Sequence, residues 1–389
     1  MHGDSIFFTI FLIFTGGAIV AGLALFARQS MLVAYIALGV LVGPWGIGLI
    51  EDATTAQGIG EIGIIFLLYL LGLNLHPQKL ARMIREATVV TVGSSLAFAG
   101  AGAAVALAFD FTLPEVLVIG ALSMFSSTII GLKLLPTTTL HHRHAGEVII
   151  SVLLLQDVIA IVLLLGLDAA SRPTLSAADA VRLAAALPVV VAVSAAMERW
   201  VLTPLIRRFD TIREYIFLVA IGWCLGVSQL GYAMGLSHEI GAFIAGVALA
   251  RSPVATYIAE SLKPLRDFFL VMFFFALGAG FPIPVLAEVA VPAACLGGLM
   301  LLLKPAVFRW LLQREQESVR LSREIGVRLG QLSEFSLLIA VIASGGGVIG
   351  PNAAYTIHAA TLFTFIVSSY VIMLRYPTPI AVTDALRRD

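Results

Sequence analysis

Gln156 and Asp157 stand side by side halfway along an otherwise apolar run, VIISVLLLQDVIAIVLLLGL, residues 148–167. A carboxylate can take up a proton or hold a cation, and a neighbouring amide oxygen can help with the cation. An α-helix rises about 1.5 Å per residue and bilayer hydrocarbon is about 30 Å thick, so a helix over this run places Asp157 near the membrane midplane. Insertion scales put the cost of a charge there at about 3 kcal/mol, and such residues therefore face a polar cavity or a partner and mark ion paths. The plainer reading is a structural acid paired with a neighbouring helix. Asp157 is the only ionisable group in its run, which favours ion handling.

Other polar residues interrupt apolar stretches and qualify as its partners. Lys304 lies in GGLMLLLKPAVFRWLL, immediately before Pro305. A buried ammonium needs a carboxylate, a carbonyl or deprotonation, so Lys304 pairs with Asp157 or caps a helix broken nearby. Ser126, Ser127 and Thr128 break the run at 114–135, and Gly330, Gln331, Ser333 and Glu334 break the run at 325–349. Taken singly, Ser and Gly in membrane helices are usually close-packing residues. Glu334 lines an entrance or satisfies interrupted backbone, with the structural role favoured. Glu61 and Glu239, the latter beside His238, read as interface anchors, and His358 and Asn74 as helix–helix hydrogen-bonding groups. His141, His142 and His144 crowd one short loop without Asp, Glu or Cys at ligand spacing, which favours a solvated cluster over a metal site. Cys224 and Cys295 both sit in apolar runs and read as packing residues.

The elements that must hold these groups are membrane helices. Of 389 residues, 59% are hydrophobic and 12% charged, and mean hydropathy is +1.00, which excludes a soluble globular domain. Acidic and basic residues balance at 24 each, and no nucleic-acid partner is expected. Apolar runs of bilayer length number about thirteen. They fall at 5–27, 32–50, 59–75, 87–109, 114–135, 148–167, 181–202, 215–233, 239–250, 265–281, 285–312, 325–349 and 355–374. The first lacks a basic leader and a cleavage site, so it reads as a spanning helix. Lys and Arg collect after alternate runs, including Arg28, Arg82, Arg143, Arg207, Arg251, Arg320, Arg328 and Arg375, whereas the remaining loops offer chiefly Arg172 and Arg182. That bias places the N-terminus outside and the C-terminus in the cytoplasm. The polar breaks at 126–128 and 330–334 lie an odd number of runs apart, so a repeat relating them would be inverted, as in transporters whose broken helices meet at the midplane. No phosphate-binding glycine loop occurs, so ATP does not drive the chain directly.

Seven stretches carry a family resemblance: IALGVLVGPWGIGLI, GEIGIIFLLYLLGLNLHPQKL, FSSTIIGLKLL, SVLLLQDVIAIVLLL, HEIGAFIAGVALARS, ESLKPLRDFFLVMFFFALGAGF and LGQLSEFSLLIAVIAS. In this order they resemble the membrane domain of Kef-type monovalent cation/proton antiporters, within the second large cation/proton antiporter family. The resemblance implies an all-α polytopic membrane protein whose helices form two inverted repeats with crossed broken helices. It also implies a homodimer in the cell (inner) membrane and elevator-type exchange of potassium, or another monovalent cation, for protons. By the same likeness residues 1–80 and 214–284 form dimerisation scaffold, 81–180 and 285–375 the ion-binding core, 181–213 a linker helix and 376–389 a cytoplasmic tail. Asp157, Gln156, Ser126, Ser127 and Thr128 would bind cation and proton, and Lys304, Ser333 and Glu334 would supply charge and steady the breaks. Gln156 beside a single acid matches Kef-like members and favours an electroneutral cycle, because electrogenic sodium/proton relatives carry two adjacent acids there.

Two positions depart from the pattern. Asn74 stands where the family often has an acid, and ESLKPLRD replaces an acidic regulatory loop. Longer relatives continue into a nucleotide-binding domain, so a separate cytoplasmic regulatory domain or subunit is a candidate partner. No cofactor other than the transported ions is expected, and no enzymatic activity. The rival readings are a sodium/proton antiporter of the same fold, a gated potassium efflux channel, an intramembrane aspartyl hydrolase and a sensor that transports nothing. The channel lacks a filter-like carbonyl loop, and the hydrolase lacks a second acid in its run.

Overall fold

The structure, a computed structural model, describes residues 6–27, 29–50, 54–74, 77–133, 144–170, 177–209, 211–250, 252 and 255–376. Among them there are helices and no strands. Apolar side chains on all sides of a helix leave only internal hydrogen bonding for the backbone, which is why such sequences fold as helices in lipid. Among the described residues, seven helices are long and apolar enough to cross a membrane, and five shorter apolar helices accompany them.

In chain order the helices are α1 (Ile6–Phe26), α2 (Met31–Val42), α3 (Thr54–Asn74), α4 (Pro77–Ala108), α5 (Leu113–Ser123), α6 (Thr128–Lys133) and α7 (His144–Ala170). Next come α8 (Ala177–Met197), which continues through a π-turn at Glu198–Leu202, α9 (Thr203–Arg208), α10 (Arg213–Ala233), α11 (His238–Leu249), α12 (Ala255–Ser261) and α13 (Lys263–Ala279). The last four are α14 (Leu286–Arg314), α15 (Val319–Arg328), α16 (Glu334–Gly345) and α17 (Pro351–Arg375). Each expected apolar run is helical over at least part of its length, with three refinements, the first being that the run at 32–50 is helical only to Val42. The run at 114–135 divides into α5 and α6, and the run at 325–349 divides into the end of α15 and α16. A long helix, a broken helix and a long helix thus occur twice, as α4, α5/α6, α7 and as α14, α15/α16, α17.

The chain packs as two compact units. One comprises residues 1–51, 82–163 and 278–389, the other 52–81 and 164–277. In the first, small residues bring helices into backbone contact. A Cβ on Gly120 of α5 would stand 2.8 Å from the Ala99 carbonyl oxygen of α4, and one on Gly326 of α15 would stand 2.7 Å from the Pro305 carbonyl oxygen of α14. Such approach is how helices associate where water offers no hydrophobic drive. Helix starts are fastened by side chains. Glu115 accepts hydrogen bonds from the Thr112 N–H (2.9 Å) and hydroxyl (2.7 Å), and also from the Gly350 N–H (3.0 Å) that opens α17. One carboxylate thus ties the starts of two helices together.

The second unit has its own apolar core, including Phe66, Leu73, Ile206, Cys224, Val227 and Leu249. Its tightest crossing joins α3 and α11, where a Cβ on Gly72 would lie 2.5 Å from the Phe243 carbonyl oxygen and one on Gly246 would collide with the Tyr69 carbonyl oxygen. Beside it, the Trp223 indole N–H donates to the Ala245 carbonyl (2.9 Å), so a large ring is buried without an unpaired donor.

A candidate ion site where two broken helices meet

Helix α5 stops at Ser123 and α6 starts at Thr128, so backbone groups between them lack helical partners. The Gln156 amide, from α7, takes up two of them. Its Nε2 donates to the Met124 carbonyl (3.1 Å) and its Oε1 accepts from the Ser126 N–H (3.0 Å). Ser127 caps α6 by accepting from the Ile130 N–H (3.1 Å). Gln156 is 1% exposed and Ser127 0%. Both ends of the Gln156 amide therefore brace the break.

The second break runs from Leu329 to Ser333 and lies against the first. The Ser126 hydroxyl donates to the Leu329 carbonyl (2.9 Å), and the Ser336 hydroxyl of α16 donates to the Leu122 carbonyl of α5 (2.7 Å). Ser333 caps α16 by accepting from the Phe335 N–H (3.1 Å), while the Leu332 N–H donates to the Thr364 hydroxyl of α17 (3.1 Å).

Lys304, 0% exposed, spans the two breaks. Its ammonium donates to the Phe125 carbonyl (2.5 Å) and the Gln331 carbonyl (3.2 Å), and lies 5.1 Å from the centroid of the Phe98 ring. Of the two roles open to it from sequence, the structure displays capping. The ammonium is satisfied by carbonyl dipoles from both interrupted helices, the partners a buried cation needs.

Asp157 is 6% exposed and accepts no hydrogen bond or ion pair from the described residues. Glu334, 8% exposed at the first position of α16, lies within electrostatic reach of it. The Thr128 hydroxyl, buried at the start of α6, has no hydrogen-bond partner among the described residues. A buried carboxylate without a donor is costly unless something binds it. A proton or a monovalent cation meets that need, and either can leave again.

All eight sequence-nominated site residues lie in the first unit, seven of them at or beside the breaks and Asp157 next to Gln156. Sequence reading gave Gln331 no role beyond that of a polar interruption, and passed over Ser336, Thr364 and Ser368. A repeat of hydroxyl residues at 361, 364 and 368 along one face of α17 was the available signal. Arg328 was counted among the loop cations, but it is 0% exposed, paired with Glu324 (2.9 Å) and set against the Tyr376 ring. Glu239 and His238 open α11 in the second unit. Cys224 is buried there, and Cys295 is exposed on α14; both are free thiols. His141, His142 and the side chains of His144, Glu61 and Asn74 lie outside the described residues. No group of His, Cys, Asp and Glu suited to a metal ion occurs among the described residues.

A chain whose described residues form apolar helices, two of them interrupted and meeting beside a buried acid, is a polytopic membrane protein. Residues 10–374 match the family described as sodium/hydrogen exchanger, transmembrane, and the chain belongs to that family. Over 378 residues it is 29% identical to the glutathione-regulated potassium-efflux system protein KefC of Salmonella heidelberg and 29% identical to that of Enterobacter sp.. These alignments cover 93% of the chain and 59% of each relative, so the chain spans about three-fifths of the length of the relatives it matches. The resemblance to Kef-type membrane domains therefore holds along nearly all of it. Among solved structures, the sodium proton antiporter MjNhaP1 from Methanocaldococcus jannaschii aligns with a TM-score of 0.70 at 18% identity, covering 94% of this chain and 95% of that one, which shows a shared fold.

Proposed function

We propose that this chain exchanges potassium, or another monovalent cation, for protons across the cell membrane, with Asp157 binding each in turn. One observation carries the reading: a buried carboxylate with no hydrogen-bond donor among the described residues, beside two broken helices that meet. Competition for one carboxylate couples the two ions, since a proton must leave before a cation binds. The Thr128 hydroxyl and backbone carbonyls freed by the breaks are the further ligands. Relatives at 29% identity are named for potassium efflux, which supports potassium as cargo. Membership of the sodium/hydrogen exchanger family keeps sodium as the second reading.

Alternating access in this proposal is elevator-like, with a homodimer scaffold and a moving ion-binding core. The basic-loop pattern supports a C-terminus in the cytoplasm, where a nucleotide-binding domain or subunit would regulate the core. The exchange is electroneutral and the chain performs no enzymatic chemistry. In proteoliposomes loaded with a pH dye, potassium or sodium gradients should drive proton movement, and Asp157→Asn should abolish it while the purified protein keeps its melting temperature. Proton-coupled transport that survives Asp157→Asn would overturn the reading, as would single-channel current without proton coupling.

A further inference from the structure

Gln331 is fully buried and its side chain joins three elements. Its Nε2 donates to the Arg328 carbonyl at the end of α15 (2.9 Å) and to the Ser127 carbonyl of the first break (3.4 Å). Its Oε1 accepts from the Ser368 hydroxyl of α17 (2.9 Å). The Ser127 carbonyl also accepts the Gly131 N–H (3.1 Å), the opening hydrogen bond of α6. A carbonyl oxygen has two lone pairs, so these two donors fill it.

Two further carbonyls of the first break each accept one side-chain donor. Gln156 holds that of Met124 and Lys304 that of Phe125. No donor among the described residues reaches the Ser126 carbonyl. A saturated carbonyl is a poor cation ligand, because a donor already occupies the electron density that a cation would use. Among the described residues, the Ser127 carbonyl alone of these has both lone pairs filled, those of Met124 and Phe125 take one donor each and that of Ser126 none. Gln156 and Lys304 each hold one carbonyl of this break directly, whereas Gln331 reaches in from the second break and is itself anchored to α17.

We infer that Gln331 is a specificity-determining positioning residue: by filling the second lone pair of the Ser127 carbonyl, under anchorage from Ser368, it withholds that oxygen from the transported cation. The inference deepens the exchange reading and rests on it. Loss of the Gln331 donors opens an extra oxygen ligand beside Thr128. Added ligands change how well a site replaces the hydration of small and large alkali cations, so the discrimination between sodium and potassium changes and not only the rate. Gln331→Met removes both donors and the acceptor while roughly keeping the side-chain length. Ser368→Ala removes only the anchor.

The experiment measures exchange by purified protein in proteoliposomes with sodium and with potassium, giving KM and Vmax for each, alongside melting temperatures in detergent. For Gln331→Met the ratio of the two KM values should move by about five-fold or more, the size expected from altering one polar contact at a binding site, whatever the fall in Vmax. Ser368→Ala should move it the same way by a smaller factor. A residue that merely supports the fold would lower Vmax and melting temperature together and leave the KM ratio where it was; that result overturns the inference. Should Gln331→Met not yield folded protein, the ratio is read on Ser368→Ala, and an unchanged ratio there overturns it equally. If wild-type protein exchanges neither cation, the exchange reading falls and this inference with it. Exchange with an unmoved ratio removes the inference alone.

Discussion

Lys304 shows how a membrane protein can keep a cation dry. Its ammonium has two carbonyl acceptors drawn from different broken helices and an aromatic ring face, so the charge is met by dipoles rather than by a counter-charge. Lys304→Met would remove the ammonium and leave the Phe125 and Gln331 carbonyls without their donor. Polar contacts between membrane helices are worth about 1–2 kcal/mol in favourable cases, so the loss should amount to about 1–3 kcal/mol and lower the melting temperature in detergent. Lys304→Arg restores a donor, and should recover part of that loss. A melting temperature unchanged in Lys304→Met would show that the two breaks hold together without it. The sequence marked Lys304 as a core residue yet left capping and pairing both open. Its acceptor at Phe125 is 179 residues away along the chain, and no local pattern encodes a partner at that separation. Gln156 illustrates the same limit: its adjacency to Asp157 is written in the sequence, whereas the engagement of its amide with Met124 and Ser126 is a product of folding.

At the scale of elements, hydropathy located the helices, while their interruptions showed only as polar clusters inside otherwise continuous apolar runs. The run at 325–349 reads as one stretch because Leu329, Leu332 and Phe335 keep it apolar, although the helix stops at Arg328 and resumes at Glu334. The sequence did carry hints in Gly330, Ser333 and the Ser126–Thr128 cluster, since hydroxyl side chains serve as caps where backbone groups are freed. Helix crossings are equally hard to read, because a glycine at a crossing and one facing lipid look alike. The structure separates them. A methyl group on Gly246 would run into the Tyr69 carbonyl and approach the Leu73 nitrogen (2.8 Å), both backbone atoms that cannot swing aside. One on Gly226 of α10 meets nothing within 4 Å. Gly246→Ala should therefore destabilise the second unit by about 1–3 kcal/mol through overpacking. Gly226→Ala should be neutral or stabilising by up to about 1 kcal/mol through helix propensity. Comparing the two melting curves checks the crossing, and equal behaviour of the two variants would contradict it.

For the whole molecule the proposed exchange is tested by the charge it would move per cycle. Asp157 is the lone acid of its run, and if it trades one proton for one monovalent cation no net charge crosses the membrane. Glu334 makes this a demanding test, because a second buried carboxyl group stands within electrostatic reach and could carry a second proton. It also stands in the first turn of α16, at the positive end of that helix, where a carboxylate that never leaves would be favoured. The two possibilities differ measurably. With opposing gradients in liposomes, one-for-one exchange balances when the cation ratio equals the proton ratio, whatever the membrane potential. A cycle moving one net charge would shift that balance by about 2.3 kcal/mol per 100 mV, close to fifty-fold in concentration ratio. The potential is imposed with a lipophilic ion that the protein does not carry, and the gradient at zero net flux is read. We expect a balance point independent of potential, in the wild type and in any Glu334→Gln variant that still transports. A balance that moves with potential in the wild type and stops moving in Glu334→Gln would make Glu334 a second proton carrier and the exchange electrogenic.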